Sequence, residues 1–184
     1  MSEELVIRCC APTLASIKTG SLFSCCFASR QEMLSDVRSL NNRLGSKGLR
    51  VLPMRYRDGK GLIYVYRPRR LSRDLQNGKA RRLLEERGYA CANPNHCIVR
   101  LMQRLEGGEE FPHEIGLFLG YPPEDVEGFI CRKDPAKCVG CWTVYGDEAA
   151  ARRTFDLYRK CTCVYLNQWA KGQRMERLTV AQSI

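Results

Sequence analysis

The chain has 184 residues, a formal net charge of +10 and 44% hydrophobic residues. That length fits one domain, the apolar fraction supports an ordinary core, and no apolar run approaches the ~20 residues of a membrane span. The opening Met1-Ser2-Glu3-Glu4-Leu5-Val6-Ile7-Arg8 lacks a basic region followed by a long apolar one. No signal peptide is read there, and a cytoplasmic location is expected by default.

Residues 3–10 and 12–19 read as two short helices, the second opened by Pro12, because proline suits a first helical turn. Ser29-Arg30-Gln31-Glu32 has the form of a capping box. It predicts a helix with Met33, Val37, Leu40 and Leu44 on one face, ending near Gly45 or Gly48. A strand is predicted over 49–56, a hairpin turn at Asp58-Gly59-Lys60-Gly61, and a returning strand over 62–67. Pro68 ends that strand. Helices follow over 69–76 and 79–87, then one capped by Asn93-Pro94 with Cys97, Ile98, Leu101, Met102 and Leu105 inward.

Gly107-Gly108 reads as a hinge into the densest apolar stretch, residues 109–130. There Pro112 opens a short helix that Gly120 stops, and Pro123 opens a second through Glu124, Asp125 and Val126. The spacing resembles a DNA-binding helix-turn-helix, but residues 106–127 hold seven acidic residues and no lysine or arginine. Such a segment would repel phosphate, so a structural hairpin is expected instead. Residues 131–141 read as a loop through Lys133 and Asp134, and Trp142-Thr143-Val144-Tyr145 as a third strand. Gly146-Asp147 caps the longest helix, whose stripe is Ala151, Phe155, Tyr158, Tyr165 and Trp169, with Gly172 as its stop. The tail Leu178-Thr179-Val180 is expected to pack back on the body. The sum is a single α+β domain over 1–184, with helices around a small, mainly antiparallel three-stranded sheet.

Several stretches carry a family resemblance. They are Cys10-Ala11-Pro12-Thr13-Leu14-Ala15-x-Ile17-Lys18-Thr19, Tyr64-Val65-Tyr66-Arg67-Pro68, the run from Phe111 to Pro122, Trp142-x-Val144-Tyr145 and Leu178-Thr179-Val180. Together they resemble a bacterial family described only as a domain of unknown function, number 3793. The resemblance implies a single-domain, non-secreted bacterial protein. It supplies no activity, cofactor or catalytic residue, so the chemistry rests on the residues.

Eleven cysteines without an export signal suggest free thiols, metal ligands or redox groups. Cys138-Val139-Gly140-Cys141 could place two thiolates on one ion, with Cys131 and Cys161 or Cys163 completing a zinc or iron–sulfur set. The same pair could exchange disulfides, although the strand after it lacks the helix N-terminus that activates such thiols. A third candidate joins Cys10, near the helix start expected at Pro12, to His113, with Glu114 as orienting group. That set would make a thiol nucleophile. A haem with His113 as axial ligand is a variant.

A fourth candidate is anion binding. Residues 67–87 carry eight basic and three acidic side chains. Arg67, Arg69, Arg70, Arg73, Arg81 and Arg82, with Lys79 and the tyrosines Tyr64 and Tyr66, could hold phosphates and stack bases. The alternative is that this segment faces the acidic one, within the fold or across a homodimer. The leading expectation is an accessory protein that holds a metal or redox cofactor through thiols and His113. A basic nucleic-acid-binding module is second and a Cys10 thiol enzyme third.

Overall fold

A computed structural model describes residues 1–107, 110–132 and 135–181. Expectations resting on Gly108, Glu109, Lys133 and Asp134 lie outside the described residues. The chain forms two compact units, Met1–Pro68 with Tyr158–Ile184, and Arg69–Leu157. The architecture is α+β.

In the first unit, α1 (Glu3–Leu14) is one helix where two were expected. Pro12 lies in its last turn, where a missing N–H removes only one bond of the ladder. The chain then bends at Ser16, whose φ is 60°, into β1 (Gly20–Cys26). This strand was not foreseen. It pairs antiparallel with β3 (Lys60–Tyr66), which also pairs antiparallel with β2 (Arg50–Arg57), giving the order β1-β3-β2. A bulge at Pro53 to Arg55 interrupts β2, an edge strand that can tolerate proline. The β2–β3 turn has positive φ at Asp58 (51°) and Gly59 (72°), the left-handed pair that an Asp-Gly hairpin favours.

The capping box of α2 (Arg30–Leu44) forms, with one variation. Ser29 Oγ accepts from the Glu32 amide, while the Glu32 carboxylate accepts from the Ala28 amide rather than from Ser29. Met33, Val37, Leu40 and Leu44 are buried as the period required. They join Val6, Ile7, Cys10 and Leu14 of α1, and Phe23, Val51, Ile63 and Val65 of the sheet, in one core. Asn41 of α2 bonds both backbone groups of Val51, at 2.8 and 2.9 Å, and so ties the helix to the outer strand.

Arg67 is wholly buried in this unit. Its Nε donates to Thr13 O (2.7 Å) and its Nη2 to Leu14 O (2.7 Å) and Val180 O (2.8 Å). Its Nη1 donates to Lys47 O at 3.2 Å. Two of these acceptors belong to the last turn of α1, where orphan carbonyls and the negative end of the helix dipole favour a cation. The C-terminal tail packs back as expected, with Val180 N donating to Leu14 O.

The second unit contains α3 (Pro68–Leu75, which begins at the boundary), α4 (Gly78–Glu85), α5 (Pro94–Gly107), α6 (Ile115–Phe118) and α7 (Pro123–Cys131). It also holds a hairpin of β4 (Cys138–Val139) and β5 (Thr143–Val144), and the start of α8 (Glu148–Ala170). Trp142–Tyr145 therefore contributes to this separate hairpin and not to the main sheet. Asn77 caps α4 through the amides of Lys79 and Ala80, and Asp147 caps α8 through the amide of Ala150. Acidic α7 packs against basic α4, with Glu127 paired to Lys79 at 2.7 Å. The expected mutual facing of the two charged segments is thus present at that contact.

Candidate functional site: an aromatic pocket beside His113

The second unit encloses a pocket of about 210 Å³. Three pieces of chain build it. His113, Ile115 and Gly116 come from the entry to α6 and from α6 itself. Asp125, Val126 and Phe129 form one face of α7, at the three- and four-residue spacing that stacks side chains on a helix. Trp142 and Thr143 come from the β4–β5 hairpin, and Tyr121 from the link between α6 and α7. Gly116 allows the two helices to meet there, since a Cβ would stand 2.8 Å from Val126 Cγ2.

Four ring contacts brace the walls. Tyr121 stacks on Trp142 with ring centres 4.9 Å apart, and Trp142 meets Phe155 edge-on at 4.6 Å. The His113 ring meets Phe129 edge-on at 4.9 Å and lies 6.2 Å from Phe111. Burial pushes the Tyr121 hydroxyl up to about 12, so it stays protonated at neutral pH.

Asp125 fixes the hairpin against α7. Its Oδ2 accepts from Trp142 Nε1, and its Oδ1 accepts from the amides of Tyr145 and Gly146, all at 2.7 Å. This carboxylate is 2% exposed and its hydrogen bonds are directed to the fold. Sequence reading placed Asp125 only in the first turn of the helix opened by Pro123. It overlooked Asp125, Tyr121, Phe129, Trp142 and Thr143 as members of one site. The only available signal was their apolar and aromatic character, which a core shares.

Glu114 does not orient His113. Its side chain is buried, accepting from Tyr89 Oη at 2.7 Å and pairing with Arg104 Nε at 3.0 Å. Burial first, and then the bond to Glu114, push the Tyr89 hydroxyl far above its ordinary value. His113, in contrast, is exposed, and among the described residues no hydrogen bond holds its imidazole. Its contacts are ring edges. Both ring nitrogens therefore remain available at the rim of an apolar cavity.

The other expected sites come out differently. Cys10 lies near the C-terminal end of α1, not at a helix start, and is fully buried. Burial pushes its thiol far up, the opposite of the activation expected. Cys10 belongs to the first unit and His113 to the second. Cys131 is exposed at the end of α7, Cys138 is half-buried in β4, and Cys141 is exposed in the hairpin turn. Cys161 sits on α8 in the first unit, half-buried, with its thiol pushed up by burial. The zinc or iron–sulfur set is not assembled: the described residues contain no group of three or more His, Cys, Asp or Glu that could hold a metal ion.

The basic face is also smaller than expected. Arg67 is removed from it by burial, and Tyr64 and Tyr66 are buried and stacked on each other at 4.7 Å. Arg69, Arg73, Arg81 and Arg82 are exposed, and Arg70 is half-buried. Arg81 pairs with Glu85 at 2.7 Å, Arg73 with Asp74 at 3.7 Å and Arg82 with Glu86 at 3.9 Å.

The structure thus defines an α+β protein whose second unit carries a small aromatic pocket with one available imidazole. By sequence, the chain belongs to the family described as protein of unknown function DUF3793, whose model matches residues 6–179. Neither the curated proteins nor the solved structures give a match. No helix is long and apolar enough to cross a membrane among the described residues.

Proposed function

We propose that this protein binds a small, flat, mostly apolar ligand in the pocket of its second unit, with His113 supplying the polar contact. The observation that carries this reading is the pairing of an aromatic cavity with an imidazole that makes no hydrogen bond among the described residues. Small-molecule sites combine this kind of apolar lining with a few polar groups that orient the ligand. Their usual volume is roughly 300–1,000 Å³. A cavity of about 210 Å³ therefore suits a ligand of one or two rings, or the end of a longer one.

The reading retains His113 from the cofactor-holding expectation and sets aside the cysteine set, since no group of three or more metal donors forms among the described residues. It favours binding over turnover, because the carboxylates of Glu114 and Asp125 are both engaged by the fold. A nucleic-acid function has less support, since Arg67, Tyr64 and Tyr66 are buried and the exposed arginines have acidic neighbours.

Trp142 provides the test. In a Trp169→Phe background it is the sole tryptophan, and one- and two-ring compounds such as phenol and indole can be titrated against its fluorescence. Saturable quenching with a Kd between ~10 μM and ~1 mM is expected, weakened about tenfold by His113→Ala, which corresponds to one hydrogen bond of ~1.4 kcal/mol. Filling the cavity with Thr143→Phe should abolish it. Quenching that persists unchanged in Thr143→Phe, or none at millimolar ligand, rejects the reading.

A further inference from the structure

The mostly apolar lining of the pocket in the second unit includes one carboxylate. Asp125 belongs to that lining together with the rings of His113, Tyr121, Phe129 and Trp142. The three donors to its oxygens are the Trp142 indole and the amides of Tyr145 and Gly146, and all three are neutral. A carboxylate offers about four acceptor positions on its two oxygens. Oδ1 takes two N–H groups and Oδ2 takes one, so Oδ2 keeps a position for a further donor.

Neighbouring side chains add negative charge rather than positive. Among the described residues, no lysine or arginine lines the pocket. Lys79 is paired with Glu127 at 2.7 Å and Arg104 with Glu114 at 3.0 Å, while Lys137 donates to Gly146 O at 2.6 Å. A second carboxylate, the exposed Glu124, sits against the same hairpin. A Cβ on Gly146 would stand 2.7 Å from Glu124 Cγ and 3.3 Å from Asp125 Oδ1. Apolar walls lower the local dielectric, so a charge acts more strongly there than in bulk water. Aromatic rings add to the attraction when a cation lies over their faces.

We infer that the ligand is a small aromatic amine in its protonated, ammonium form. The inference rests on the pocket reading above and deepens it by giving the ligand its charge. The aromatic ring of the ligand fills the space between the apolar walls. Asp125 supplies the opposite charge, and an N–H of the ammonium donates to the imidazole of His113. An ammonium suits such a site because it carries three donors and no acceptor. An alcohol of the same length brings one donor and no charge. A carboxylate of the same length brings no donor and is repelled by Asp125.

Three probes of one shape and different charge test the inference: phenethylamine, 2-phenylethanol and phenylacetate. Each is titrated at pH 7 against Trp142 fluorescence in the full chain carrying Trp169→Phe. Phenethylamine should bind about tenfold tighter than 2-phenylethanol, and phenylacetate about tenfold weaker than the alcohol. Asp125→Asn should bring the amine and the alcohol to within about twofold of each other. That ratio is read on one sample, so a smaller folded fraction does not distort it, and if the variant does not fold the three probes on the Asp125 protein still decide. An alcohol or a carboxylate that binds as tightly as the amine overturns the inference and leaves the pocket reading standing. A tenfold preference that survives in folded Asp125→Asn overturns the role of Asp125 and with it the inference. Failure of all three probes at millimolar concentration overturns the pocket reading as well.

Discussion

Replacing Arg67 with methionine keeps a long flexible side chain but removes a buried cation that donates to four carbonyls. In the folded variant, Thr13, Leu14, Lys47 and Val180 would lose that donor. A carbonyl left unsatisfied costs about 1–3 kcal/mol, but methionine does not incur the desolvation of a guanidinium. These opposing effects leave an expected net loss of about 3–5 kcal/mol, the range seen when one partner of a buried charged contact is removed. Arg67→Lys keeps the charge but lacks the planar fork, and about 2–3 kcal/mol is expected there. Urea unfolding followed by Trp169 in a Trp142→Phe background reads the unit that contains Arg67. With a urea slope of about 2 kcal/mol per molar, the methionine variant should unfold about 1.5–2.5 M earlier than wild type. A shift below about 0.5 M for methionine, or none for lysine, would refute the assignment of Arg67 as the clamp of this unit.

Other substitutions test the second unit. Asp125→Asn cannot accept all three hydrogen bonds through two oxygens. It should cost about 1–3 kcal/mol and shift Trp142 emission, and an unchanged spectrum and urea midpoint would contradict the anchoring role. Gly116→Ala places a Cβ 2.8 Å from Val126 Cγ2, so overpacking of about 1–3 kcal/mol is expected in the same assay. The pH dependence has a definite sign. Burial keeps Cys10 protonated in the folded chain, whereas an unfolded thiol ionises near pH ~8.5. Above that pH the unfolded chain binds fewer protons, so stability present at pH 7 falls as pH rises, by up to about 1.4 kcal/mol per unit from Cys10 alone. Urea midpoints at pH 7 and pH 10 check it, and equal or higher stability at pH 10 would count against a buried thiol.

The legible parts of the fold were those with local chemical signatures. The Ser29 cap, the Asp58-Gly59 turn and the Pro123 helix start each depend on neighbouring residues, and each stands where the sequence placed it. β1 was missed because Gly20-Ser21-Leu22-Phe23-Ser24-Cys25-Cys26 has little apolar alternation. Its strand geometry comes from pairing with β3. The three-stranded sheet was thus foreseen with Trp142–Tyr145 in the place that β1 occupies. Arg67 read as surface because arginine is rarely buried without partners, and its partners are carbonyls from residues 13 to 180 in the sequence. The same limit hid the pocket. His113 was noticed as a reactive residue type, but the closeness of Phe129 and Trp142 arises only when α7 and the hairpin are joined through Asp125. The cysteines misled in the opposite way. A Cys-x-x-Cys spacing suggests an ion, but Cys141 in the hairpin turn is exposed, and among the described residues no wider donor set gathers around the pair.

The most direct measurement of the central claim is an NMR screen of one- and two-ring fragments against protein labelled at histidine and tryptophan. Binding in the pocket predicts concentration-dependent shifts of the His113 imidazole and the Trp142 indole, with intermolecular contacts from the same fragment to Phe129 and no matching shifts at His96 or Trp169. Fragments that leave His113 and Trp142 unmoved at millimolar concentration, or that shift His96 and Trp169 equally, would contradict it.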